Sequence, residues 1–97
     1  MLHTVNKSPF LNGTLESCLR FVSEGDCVLL MEDGVYAAVA DTARSALVEE
    51  ALGKVSVYAL SADLKARGLD NLIEGVKVTD YNGFVELVEQ HKTHSWL

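Results

Sequence analysis

Cys27-Val28-Leu29-Leu30-Met31 is five apolar residues in a row, with Glu24-Gly25-Asp26 before it and Glu32-Asp33-Gly34 after it. Strict alternation would mark a strand with one wet face. An unbroken apolar run closed at both ends by turn formers marks a strand covered on both faces, as in a parallel sheet between helices. Parallel strands need crossovers to join them, so helix and strand patterns should alternate on either side of this run.

They do. Before it, Met1 to Val5 reads as a short first strand, and Asn6-Lys7-Ser8-Pro9 as a polar turn holding the only proline. Thr14 to Ser23 reads as a helix with Leu15, Cys18, Leu19 and Val22 on one face. Beyond the run, Val35 to Val39 suggests a short helix tucked under the sheet, and Asp41 or Thr42 can cap a helix from Ala43 to Leu52. Val55 to Leu60 is a third strand, and Ser61 can cap a helix from Ala62 to Arg67. Val76 to Thr79 is a fourth strand, and Asp80 caps a helix in which Tyr81, Phe84, Val85 and Val88 share a face. His91 to Leu97 reads as a polar tail ending in Trp96-Leu97. The fold expected is α/β: a single domain over residues 1–97, in three layers, with a mainly parallel sheet of four to five strands. Function in such sheets sits beyond the carboxyl ends of the strands, here Asn6 to Gly13, Glu32 to Gly34, Ser61 onward and Asp80 onward.

The 97 residues are 48% hydrophobic, enough for a core without disulfide or metal staples. Eight basic against fourteen acidic residues give a net charge of −6. The basic residues are scattered, which argues against a nucleic-acid surface and for a basic partner. Neither a signal peptide nor an apolar run of membrane-spanning length is evident, so the expectation is a soluble cytoplasmic protein that enters no membrane. Cys18 and Cys27 are read as free thiols of a reducing compartment.

No glycine-rich phosphate loop is present, and no cofactor or metal is expected. His91 and His94 read as solvated, and His3 as a satisfied, partly buried histidine. Helix capping and turn formation account for Asp33, Asp63 and Asp80, which could otherwise pair for acid–base work. A Ser-Pro turn accounts for Ser8, though Lys7 beside it leaves a nucleophile conceivable. Trp96 suggests either a fold-back onto the domain or an anchor for a partner; with Val35 to Val39 it is the expected partner contact. Cys27 opens a buried strand and reads as packing. Cys18 is the candidate catalytic residue. Its apolar helical face favours a core role, whereas a place near the helix start, with Lys7 and Arg20 close in sequence, would lower its pKa.

The blocks LHTVNKSPF from Leu2, LESCLRFVSEGDCVLLMEDGVYAAVA from Leu15, VYALSADLKARGL from Val57 and VTDYNGFVELV from Val78 resemble the DsrH/TusB family of sulfur-relay proteins, in matching order over nearly the whole chain. The resemblance implies a DsrE/DsrF/DsrH-like domain that joins DsrE/TusD-like and DsrF/TusC-like subunits in a cytoplasmic hexamer with two copies of each. It implies transfer of persulfide sulfur from a TusA-like carrier to a DsrC/TusE-like one, for sulfur oxidation or for 2-thiolation of the tRNA wobble uridine. It places the principal sulfur-carrying cysteine on the DsrE/TusD-like subunit. Cysteine at position 18 is similar to the DsrH side of the family and is what keeps a sulfurtransferase role for Cys18 in view. The alternatives are a non-catalytic structural subunit of that complex, or a stand-alone flavodoxin-like domain binding a small ligand.

Overall fold

The computed structural model describes residues 1–97. Its strands are β1 (Leu2–Val5), β2 (Cys27–Leu30), β3 (Ser56–Leu60), β4 (Lys77–Thr79) and β5 (Thr93–Trp96). Its helices are α1 (Thr14–Phe21), α2 (Ser45–Ala51), α3 (Ser61–Ala66) and α4 (Tyr81–Gln90), with a 3₁₀ segment over Glu32–Ala38. The strands form one sheet in the order β4-β3-β2-β1-β5, every pair parallel. The α/β expectation is met, and all four residues of β2 are buried as the apolar run requires.

Three crossovers step from β1 to β4 in one direction, with α1, the 3₁₀ segment, α2 and α3 on one face. The last reverses direction: α4 carries the chain from the β4 edge across to β5 on the opposite face. Changing direction and face together keeps the hand of the crossover the same. Side chains alternate across each strand, so the sheet serves two cores. Val5, Val28, Leu30, Val57 and Ala59 meet Leu15, Cys18, Val22, Val35 and Val48 in the larger. Leu2, Cys27 and Leu29 meet Leu87 and Phe84 of α4 in the smaller.

Several local readings are corrected. His91 to Leu97 is not a tail: Thr93–Trp96 is a strand in register with β1. Val35, Ala37 and Ala38 are buried against the sheet, which meets the reading of a short helix tucked under it and removes the apolar patch expected to touch a partner. Ser61 makes no side-chain cap and α2 begins only at Ser45, whereas Asp80 does cap α4, its Oδ1 accepting from Gly83 N–H at 2.9 Å. Tyr81, Val85 and Val88 are 59%, 52% and 41% exposed, so Phe84 and Leu87 form the inward face of α4. The 3₁₀ segment follows β2 so closely that a β-carbon on Gly34 would overlap the Val5 carbonyl oxygen. Only glycine lets the two backbones approach this far.

Candidate functional site

Cys18, the candidate catalytic residue, is the fifth residue of α1 and faces the sheet with no exposed surface. It lies past the first turn, where the dipole would help a thiolate. Burial, and secondarily the negative charge of Asp26, push its thiol up to about 12. Arg20 is 80% exposed and pairs with Glu16 across one helical turn. A groove of about 320 Å³ runs beside α1, between Leu19 and Arg20 on one wall and Leu47, Glu50 and Lys54 on the other, and Cys18 does not line it.

Cys27 lies on the other side of the sheet, in the smaller core. The two free thiols therefore belong to different layers. Burial raises the Cys27 pKa as well, and its Sγ lies 3.9 Å from His91 Nε2 at the end of α4.

The densest polar arrangement of the larger face is a buried histidine. His3 has no exposed surface, and both ring nitrogens are engaged. The indole N–H of Trp96 can only donate, so His3 Nδ1 accepts from it at 3.0 Å and the ring proton sits on Nε2. Nε2–H donates to Asp26 Oδ2 at 2.9 Å. Asp26 also accepts from Ser23 N–H at 3.0 Å and from the Met1 amino nitrogen at 3.1 Å. The Ser23 amide, then His3, hold its carboxyl well below the usual carboxylate range. The chain Trp96–His3–Asp26 ties β5, β1 and the α1–β2 turn together. It has the orienting half of a catalytic relay and no nucleophile at its end, so it positions structure rather than reacting.

At the carboxyl ends of β2 and β3, Asp33 and Asp63 do converge, on Arg67. Its Nε and Nη2 donate to Asp33 Oδ1 at 3.1 and 2.9 Å, and Nη1 lies 3.7 Å from Asp63. Asp63 Oδ2 also accepts from Glu32 N–H at 2.7 Å, where the backbone turns through a positive φ of 49°. Both carboxylates are committed to holding loops, and Asp80 to its cap, so the three do not assemble an acid–base pair. Ser8 Oγ accepts from Phe10 N–H at 3.2 Å, closing the turn. His94 stacks on Phe21, at 6.5 Å between centroids, while His91 faces Cys27, so the two histidines do not act together.

A family model for DsrH-like proteins matches residues 7–94. The chain belongs to the DsrH/TusB family of sulfur-relay proteins. Protein TusB of Serratia proteamaculans is 42% identical over 98 residues, covering 99% of this chain and all of that protein. Protein TusB of Escherichia coli K12 is 42% identical over 92 residues, covering 94% of each chain. Among solved structures, a protein of unknown function from Methanobacterium thermoautotrophicum superposes with a TM-score of 0.75 at 26% identity, over 97% of this chain and 95% of that one. A Thermotoga maritima protein shares the fold, with a TM-score of 0.65 at 21% identity over 95% of both chains. The curated relatives named here carry the TusB name. No helix is long and apolar enough to cross a membrane.

Of the residues that matter here, sequence reasoning named His3 as satisfied and partly buried, where the structure buries it fully, and Trp96 as able to fold back. It saw Asp26 only as a turn former. No local signal could have joined the three, which stand 23 and 93 positions apart along the chain.

Proposed function

We propose that this chain is a cytoplasmic sulfur-relay subunit that works as a scaffold, assembling with DsrE/TusD-like and DsrF/TusC-like subunits while a partner's cysteine carries the persulfide. One observation carries the choice between scaffold and carrier: Cys18 is fully buried, with its thiol pushed up to about 12. Sulfur exchange needs a thiolate that an incoming persulfide can reach. Cys18 offers neither reach nor ionisation at neutral pH. Identity of 42% to TusB proteins over nearly the full length favours the tRNA-thiolation branch over sulfur oxidation. On this reading, sulfur enters the complex from a TusA-like carrier and leaves on a DsrC/TusE-like one.

The test is intact-mass spectrometry of the chain co-expressed with its partner subunits, after exposure to a persulfidated carrier, with a Cys18→Ala control. Sulfur on a partner and none on this chain is the expected result. A one-sulfur gain on this chain that Cys18→Ala abolishes would make Cys18 a working sulfur site.

A further inference from the structure

The two edges of the sheet differ. β4 is three residues long and carries Lys77, a charged side chain of the kind that blocks edge-to-edge pairing. β5 has no charged residue and no proline, and its register against β1 is unbroken by any bulge. The Lys92 carbonyl accepts from Leu2 N–H at 2.7 Å. By alternation, His94 and Trp96 also turn their main-chain groups toward β1, and Thr93 and Ser95 turn theirs away. Thr93, His94 and Ser95 are exposed. Beside this edge, on the α1 face, His94 lies 4.9 Å from Trp96 and Phe21 lies 5.6 Å from Trp96, centroid to centroid. Phe21 is 64% exposed.

We infer that β5 pairs antiparallel with β5 of a second copy of this chain, across a two-fold axis through Ser95, to form one continuous sheet. In this register the outward N–H and C=O of Ser95 exchange hydrogen bonds with the partner's Ser95, which an isologous contact requires. His94 then stands opposite the partner's Trp96, and the two aromatic shelves merge on one face. Charge selects the occupant. Each copy carries −6, so two copies repel wherever carboxylates meet. The β5 strip, Thr-His-Ser-Trp, carries none, so two copies can meet there without that repulsion. The inference does not rest on the sulfur-relay reading.

Sedimentation equilibrium of the full chain over a range of concentrations tests it, with Ser95→Pro alongside. Proline at 95 removes an N–H that β1 does not use and guards the edge. The wild type is expected to approach twice 10.6 kDa as concentration rises. The variant is expected to stay monomeric with an unchanged circular dichroism spectrum. A wild type that remains monomeric to high micromolar concentration overturns the inference, as does a dimer that persists in the folded variant. Should Ser95→Pro fail to fold, Ser95→Cys with a short bis-maleimide replaces it. A linked dimer beyond the wild-type background supports the register, and its absence overturns it.

Discussion

His3 shows how much one side chain organises. An imidazole with no exposed surface must have both nitrogens satisfied or lose their hydration uncompensated. Trp96 and Asp26 do this from opposite sides. Asp26 in turn is an ion stabilised by hydrogen bonds that favour its charged form. Because the fold depresses its pKa, the stability it contributes is present above the ordinary carboxylate value of about 4 and drains away as pH falls below it. Asp26→Asn should therefore cost about 2 kcal/mol at neutral pH, the scale of a hydrogen bond to a charged group. In denaturant melts taken through the acid range, the gap between wild type and variant should shrink as the pH drops. A gap independent of pH would show that the carboxylate's charge is not what matters. His3 was legible as a satisfied, partly buried residue because a histidine inside an apolar strand has few other fates. Its partners were not, since nothing local to position 3 points to position 96.

Among the elements, those announced by apolar runs were legible and those built on close contact were not. β2 and β3 declare themselves by hydrophobic content, and Asp80 by capping chemistry that is local to α4. β5 escaped because Thr93-His94-Ser95-Trp96 is exposed and polar at three of its positions, so only its pairing with β1 makes it a strand. The 3₁₀ segment was legible as a short helix under the sheet, but its second reading as a partner contact was not met. Its apolar residues fitted both a buried helix and a contact patch, and the approach of Gly34 to Val5 presses them against the sheet. That approach yields a sharp expectation. Gly34→Ala should destabilise by about 3 kcal/mol, since the new methyl meets main chain that cannot rotate aside. Thermal melts read this directly, and a shift within error would mean that the segment can lift off at little cost. The same logic explains the Cys18 expectation: the apolar face of α1 was readable, but how completely the sheet would cover the thiol was not.

At the scale of the molecule, the sheet is unevenly protected. β1, β2 and β3 each have neighbours on both sides, whereas β4 and β5 are edges. One face is covered by α1, the 3₁₀ segment, α2 and α3, the other by α4 alone. Amide hydrogen exchange should then be slowest in β2 and in its contacts with β1 and β3, and fastest among the strands in β4. Exchange in β5 should slow as protein concentration rises if its edge is paired; uniform protection across all five strands would contradict the unequal layering. The placement of β5 also governs how the molecule comes together. Thr4 bonds Ser95 across 91 positions of sequence, so this pairing closes the largest loop in the chain. The β1–β2 and β2–β3 units can zip through local crossovers first, while high contact order delays the final strand. Until it docks, β1 shows an unpaired edge and His3 lacks its indole donor. The interval before that closure is when a nascent chain most needs shielding from strand exchange with its neighbours, the task that chaperones perform.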